Sequence, residues 1–326
     1  MNLLITGGAG YIGSHTTLSF LDNNHTVTII DNLETGNINL IPKKAKFVKG
    51  DISDTGLITK ILNSEKFDAA IHLAASISVE ESVKNPQKYF LNNTDKAKFF
   101  FDTCIKNKLT NFVFSSTAAV YGESNKIVSE EAQLNPINPY AESKIKTENY
   151  LKQLESKNLA KYICLRFFNV AGSDPNLRSG LVTKNATHLL KKVCEVVVGK
   201  RDFLTVYGKD YPTHDGTAVR DYVHVSDLAD IHLLVTSFLL DKKKSMTFNC
   251  GYGKGLSVME VINEINSIIS KPIKIMIGKR RPGDCSFLVA DNKKILKNIM
   301  WKPKFNNLKL ILSSTLEWEK KLEKNK

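Results

Sequence analysis

Thr6-Gly7-Gly8-Ala9-Gly10-Tyr11-Ile12-Gly13 decides how this chain folds. The stretch follows an apolar run, Leu3–Thr6, and opens a helical pattern near residues 12–23, so the glycines fall on a strand-to-helix turn. Gly7, Gly10 and Gly13 make G-x-x-G-x-x-G. Such a turn lets the backbone approach a pyrophosphate and aims a helix N-terminus at it. The next apolar run, Thr26-Val27-Thr28-Ile29-Ile30-Asp31, ends in an acid 24 residues after Gly7. A carboxylate there accepts hydrogen bonds from adenosine ribose hydroxyls and repels a 2′-phosphate. Asn32-Leu33-Glu34 follow, with no Arg or Lys, so the pattern favours NAD over NADP.

Working outward, the first 170 residues alternate short apolar runs with longer amphipathic ones, the mark of a parallel α/β sheet. Strands are predicted at Leu3–Thr6, Thr26–Asp31, Phe47–Gly50, Ala69–Ala74, Asn111–Ser116 and Tyr162–Phe168. Helical patterns lie near 12–23, 54–64, 88–107 and 140–157. Gly50-Asp51-Ile52 closes the third strand and places an acid to meet the adenine amino group. His72-Leu73-Ala74-Ala75 closes the fourth, where small residues let the chain run beside a cofactor. After Asn169 the alternation becomes irregular, with helices predicted at Lys184–Val198, Asp227–Leu239, Ser257–Ser270 and Leu308–Leu322, and a strand at Val219–Val225. The expected fold class is α/β: a Rossmann-type doubly wound parallel sheet over residues 1–170 and a smaller mixed α/β substrate lobe over 171–326. Residues near 213–240 are expected to return to the first unit.

Composition narrows the function. Net charge is +13, but the excess comes from forty dispersed lysines against six arginines, and no basic stripe interleaves with aromatics. Nucleic-acid binding is therefore not expected, while a positive field helps to collect an anionic substrate. No apolar run approaches the roughly 18 residues of a membrane span. The N-terminus lacks a basic leader, so the reading is a cytoplasmic protein with no membrane partner. Five scattered cysteines form no C-x-x-C pair and have no metal-ligand spacing, so no metal is expected.

Tyr140-Ala141-Glu142-Ser143-Lys144 is Y-x-x-x-K. On a helix these two residues share a face, so phenol and ammonium reach one place. Ten tyrosines and forty lysines produce about one such match by chance, so spacing alone decides nothing. Position adds to it: Tyr140 follows Asn138-Pro139, a helix start, and lies 23 residues beyond Thr117 in Ser115-Ser116-Thr117 at the end of the fifth strand. Ligands meet open α/β sheets at such strand ends.

Together these motifs resemble the extended short-chain dehydrogenases. Ser115–Gly122, Leu165–Asn169, Asp215–Val225 and the segment Arg280-Arg281-Pro282-Gly283-Asp284 narrow the resemblance to the UDP-glucose 4-epimerases, over residues 1 to about 320. The resemblance implies inversion of C4 in a UDP-hexose, through a 4-keto sugar and transient hydride transfer to bound NAD. It implies Tyr140 as general base, with Lys144 and Thr117 completing the catalytic set. The cofactor would be held by Gly7, Gly10, Tyr11, Ile12, Gly13, Asp31, Asn32, Asp51, Ile52, Leu73, Ala74, Ala75, Asn93, Ser115, Tyr140, Lys144 and Phe168. Arg220 and Arg281 would grip the diphosphate, with Asp284 in the same segment. Asn169 and His188 would bind the UDP moiety, and Tyr207 would lie along the uracil. Four of the six arginines fall inside these motifs, in keeping with their bidentate reach to phosphate. The resemblance also implies a homodimer, with the helix carrying Phe99-Phe100-Phe101 as a candidate surface. Two positions depart from the pattern: Ile77 stands where many members have lysine, and His188 where others have asparagine.

The resemblance further implies that Leu288 stands at the position lining the pocket near the sugar's C2 substituent, where it is smaller than the tyrosine that confines some members to glucose and galactose. The reading therefore extends to UDP-GlcNAc and UDP-GalNAc. Three alternatives stand beside it. A UDP-glucuronate 4-epimerase is the nearest. A nucleotide-sugar 4,6-dehydratase needs an acid pair after Thr117, where Ala118-Ala119 stand. An NAD-binding sensor or scaffold would not need the complete Thr117, Tyr140 and Lys144 set.

Overall fold

A computed structural model describes residues 1–183, 186–281 and 284–324. Lys184, the predicted start of a helix, and Pro282-Gly283 of the arginine-rich segment lie outside the described residues. The six strands predicted in the first 170 residues are present as β1 (Asn2–Thr6), β2 (Thr26–Asp31), β3 (Lys46–Lys49), β4 (Ala69–His72), β5 (Asn111–Thr117) and β6 (Lys161–Phe167). Seven more follow: β7 (Asn169–Ala171), β8 (Leu204–Tyr207), β9 (Val219–His224), β10 (Met246–Cys250), β11 (Gly255–Ser257), β12 (Ile275–Gly278) and β13 (Phe287–Leu288). The main sheet runs β10-β6-β5-β4-β1-β2-β3, all parallel.

Strand alternation explains its two covered faces. Leu3 and Ile5 enter one core with Ile29, Ile71, Val113, Ile163 and Leu165, while Leu4 enters the other with Ile30, Ala70, Phe112, Phe114 and Cys164. Helices α1 (Tyr11–Asp22) and α8 (Val225–Lys242) cover the first face through Phe20, Leu228, Ile231 and Val235. Helices α2 (Thr55–Ser64), α5 (Lys96–Lys106) and α6 (Pro139–Ser156) cover the second through Ile58, Phe100, Phe101, Cys104 and Leu151. Each fully buried Leu, Ile or Phe contributes about 1.5–3 kcal/mol.

The helix expected near 88–107 is present and unbroken, but it runs as α4 (Pro86–Tyr89), a π-helical turn (Phe90–Asp95) and α5, and a short helix α3 (Val79–Lys84) precedes it. Ser78 caps α3 and Asn85 caps α4, with Pro86 at its first position. Phe100 and Phe101 are core residues, so of the three phenylalanines only Phe99 faces outward.

The later segments divide. Strand β10 adds to the main sheet beside β6, and α8 packs over α1. Strand β9, expected to return with them, belongs to a smaller sheet ordered β11-β9-β13, with β7 also paired to β9. β8 and β12 form a two-stranded parallel pair. The remaining helices are α7 (Leu189–Val197), α9 (Val258–Ile268), α10 (Lys293–Ile299) and α11 (Leu308–Lys324). Among the described residues no helix is long and apolar enough to cross a membrane.

Candidate active site

At the end of β1 the chain turns sharply. Gly7 has φ +73°, and a Cβ on it would lie 2.6 Å from the Ala74 nitrogen, inside the β4 exit. A Cβ on Gly13 would meet the Gly7 carbonyl oxygen at 2.1 Å. Glycine at both positions brings helix, turn and the Leu73–Ala75 segment into contact. Gly10 begins α1 without a side-chain cap, which leaves its first turn, Tyr11 to Gly13, for an anion. Thr6 Oγ1 accepts from the Leu73 and Ala74 nitrogens at 3.2 and 3.3 Å and meets His72 Nδ1 at 2.8 Å. Burial, and then the Lys144 charge, lower the His72 pKa to about 3, so its ring is neutral between Phe100 and Phe114.

Asp31 ends β2 as expected, buried, accepting from the Ala9 nitrogen (3.0 Å) and the Leu33 nitrogen (2.8 Å). Asp51, expected free for the adenine, is already engaged by Lys96 Nζ at 2.6 Å and Ser53 Oγ at 2.7 Å. Burial opposes ionisation there, but the Lys96 ammonium and the Ser53 donors bring its pKa down to about 2. Exposed Asn32 reaches the same carboxylate at 3.5 Å, and Ile52 beside it is buried. Asn93 is also committed: its amide accepts from the Ser76 nitrogen and donates to the Ser76 carbonyl and Ser143 Oγ, at 2.8, 3.0 and 3.0 Å. It pins the β4 exit to α6. The Tyr11 hydroxyl donates to the Gly172 carbonyl at 2.6 Å and so ties α1 to the chain beyond β7.

Asn138 caps α6, accepting from the Ala141 nitrogen at 2.9 Å, and Pro139 fills its first turn. Such a cap contributes about 1 kcal/mol. Next to Pro139 in the same first turn, Tyr140 lies edge-on to Tyr89, with ring centroids 6.4 Å apart. Burial pushes its phenol up from the ordinary tyrosine range, and a hydrogen bond with Thr117 works the other way. Lys144 is buried and donates to the Ser115 carbonyl at 2.8 Å. Burial lowers its pKa to about 8. Thr117, Tyr140 and Lys144 are therefore brought together at the end of β5.

A network that sequence reasoning missed lies beneath them. Glu148, two turns after Tyr140, accepts from Ser116 Oγ at 2.5 Å and pairs with the Arg166 fork at 2.7 and 3.1 Å. Arg166 also donates to the Tyr121 hydroxyl at 2.9 Å. Although it stands in an arginine-rich set of motifs, Arg166 is 3% exposed and serves the fold. The signal was Y-x-x-x-K-x-x-x-E, one stripe of α6.

Toward the smaller sheet, Arg220 and Arg281 share one acid. Arg220 Nη2 is 2.6 Å from Asp284 Oδ1, and Arg281 Nη2 is 2.8 Å from Oδ2. Asp284 thus holds two guanidinium groups in register. Arg280 turns away, paired with Asp210 at 2.8 Å and stacked over Tyr211. The Arg281 guanidinium lies 4.9 Å over the Tyr207 ring. Asn169 and His188 line one cavity with Tyr11 and Gly172. The buried His188 Nδ1 has no partner among the described residues, and burial followed by Lys191 and Lys192 lowers its pKa to about 4. Leu288 pairs with Arg220 in register and is buried in a cluster with Phe168, Ala118 and Cys285. Ile77, in the segment beyond β4, is 60% exposed.

Residues 3–251 match the NAD dependent epimerase/dehydratase family. The chain is similar to the UDP-glucose 4-epimerase of Azospirillum brasilense, at 41% identity over 99% of this chain and 93% of that one. Among solved structures it is similar to the UDP-glucose-4-epimerase of Stenotrophomonas maltophila with bound NAD and formylated UDP-arabinopyranose, with TM-score 0.97, 32% identity and 100% of both chains covered. It is also similar to the UDP-Glc/GlcNAc 4-epimerase of Campylobacter jejuni, with TM-score 0.85, 42% identity, and 98% and 99% of the two chains covered.

Proposed function

The chain belongs to the UDP-glucose 4-epimerases of the NAD dependent epimerase/dehydratase family, and from that premise we propose how its residues invert C4 of a UDP-hexose. The observation that carries the reading is the joining of Thr117, Tyr140 and Lys144 at one strand end, across from an uncapped glycine turn.

NAD is the cofactor, and the residues present fit it. The first turn of α1 would take the pyrophosphate, and the Asp31 carboxylate, fixed by two backbone donors, would take the adenosine ribose. Lys144 would hold the nicotinamide ribose. When bound and oxidised, NAD supplies the acceptor and returning donor of the C4 hydride, and a positive charge beside the phenol. Tyr140 accepts the proton of the sugar O4 and later returns it, with Thr117 guiding the transfer. Burial pushes the phenol up and the Thr117 hydrogen bond works the other way, so ionising the base calls for positive charge nearby.

Inversion requires firm grip on UDP and a hexose free to turn. Arg220, Arg281, Asn169, His188 and Tyr207 are our candidates for that grip, and Asp284 positions the two arginines. Residues 1–170, with α8 and β10, form the cofactor unit in this reading, and the smaller sheet with α7 and β8 forms the UDP-sugar lobe. The enzyme acts in the cytoplasm as a homodimer joined through the α5 side, where Phe99 is 54% exposed; sedimentation of the holoenzyme tests this state.

Substrate breadth extends to the N-acetylated pair. A buried leucine beside Arg220 takes less room than tyrosine and offers no hydroxyl. Tyr140→Phe tests the core of the assignment. It removes the base but keeps the ring, so kcat falls by about 100-fold or more while the affinity for UDP stays. Turnover within about tenfold of the parent enzyme would remove Tyr140 from the mechanism.

A further inference from the structure

Charge around Tyr207 does not balance. Arg220 and Arg281 share Asp284, so these three groups carry one net positive charge. Arg201 is held by Glu195 at 2.5 Å, Arg280 by Asp210 at 2.8 Å, and Lys200 by Glu319 and Glu323 at 2.7 and 2.9 Å. Lys192 differs. Among the described residues no acid lies within ion-pair distance of it, and its Nζ stands 6.0 Å from the Tyr207 ring centroid, a ring that Arg281 also covers.

The position is built by α7. Lys192 is four residues after His188 and donates its backbone N–H to the His188 carbonyl at 3.1 Å, so the two side chains share a helix face. Lys192 also lines the groove formed by Phe203, Leu204, Thr205 and Tyr207. It is half-buried, and its pKa is lowered first by burial and then by Arg281 and Arg201, with Glu195 and Glu80 acting weakly in the other direction. A half-buried ammonium in the field of Arg281 and Arg201, with no acid at ion-pair distance among the described residues, is disfavoured in the protein alone.

We propose that Lys192 is a third cationic contact to the diphosphate of the UDP-sugar, supplying the second positive charge that Arg220, Arg281 and Asp284 leave missing. A diphosphate diester carries two negative charges. Arg220 and Arg281 minus Asp284 match one of them, and Lys192 matches the other. The flexible ammonium also suits a moving ligand, because lysine binds phosphate as a point charge where arginine imposes a planar fork. The proposal rests on the UDP-sugar reading of the Arg220 and Arg281 site.

The test is calorimetric titration of UDP into the NAD-loaded enzyme, for the parent, Lys192→Met, Lys192→Arg and Arg281→Met. Lys192→Met keeps the apolar stem and removes the charge. It is expected to weaken UDP about tenfold, or about 1.4 kcal/mol, and to raise KM for UDP-galactose with kcat within about twofold. Lys192→Arg is expected to restore most of the affinity. Without ligand, Lys192→Met is expected to melt no lower than the parent, since repulsion is relieved. Lys192→Gln serves in its place if the methionine variant misfolds. Normal UDP affinity in the neutral variant, together with weakened affinity in Arg281→Met, overturns the role of Lys192 and leaves the site standing. Normal affinity in both variants overturns the site and the proposal together.

Discussion

Single residues here do their work through partners already fixed in the protein. Lys144 is the sharpest case. Its folded pKa of about 8 lies below the ordinary lysine range, so the folded protein loses this proton first as pH rises. In the proposed mechanism this ammonium positions the cofactor ribose and favours the Tyr140 phenolate, and it is complete below that value and lost above it. We expect kcat/KM to fall as pH rises through about 8. Lys144→Met should be slow and lack this limb. A profile that stays flat up to the ordinary lysine range, about 10.4, contradicts the assignment. Leu288 is our candidate for substrate breadth at the same scale. It is buried in one cluster with Phe168 and Cys285, so Leu288→Tyr brings a bulkier, hydroxyl-bearing side chain to a closely packed position. Turnover of UDP-GlcNAc should fall at least about tenfold, the discrimination one steric group supplies, while UDP-glucose turnover persists. Equal loss of both would make Leu288 a fold residue alone, and a parent enzyme inert toward UDP-GlcNAc would end the idea of dual breadth.

Elements were legible where local pattern and burial agree. Six strands could be read because Ile, Val and Phe alternate between two covered faces, and Asn138-Pro139 announced α6 through its cap. The π-helical turn could not be read. It buries Asn93 and Thr94, polar residues that add nothing to an apolar pattern, and Asn93 there pins Ser76 and Ser143. Strands β8, β10 and β13 are short, lie outside the regular strand-helix alternation that marks the first 170 residues, and pair with partners distant in sequence. The same limit hid the Glu148–Arg166 pair, which joins α6 to β6 and, through Ser116, to β5. Breaking a buried pair leaves an uncompensated charge. Glu148→Gln should lower unfolding free energy by about 3 kcal/mol and slow kcat more than it weakens UDP. Replacing Arg166 with Met in the same chain should recover part of the stability. A loss under about 0.5 kcal/mol in denaturant titration contradicts this anchoring role.

At the scale of the whole molecule, the proposed function has one unit hold a cofactor that is never consumed and the other a substrate that must turn. The Tyr11 hydroxyl on the Gly172 carbonyl and the Ser14 hydroxyl on Ser179 join the cofactor helix to the chain leading from β7. Net charge of +13 favours encounter with a diphosphate, an effect that salt screens. The central claim is an inversion without net oxidation, and proton NMR of UDP-galactose with purified enzyme and no added cofactor tests it most directly. The account predicts conversion to an equilibrium mixture with UDP-glucose, with NAD recovered from the denatured protein and no reduced cofactor accumulating in step with product. Conversion that appears only when NAD is supplied and consumed with each turnover would contradict it.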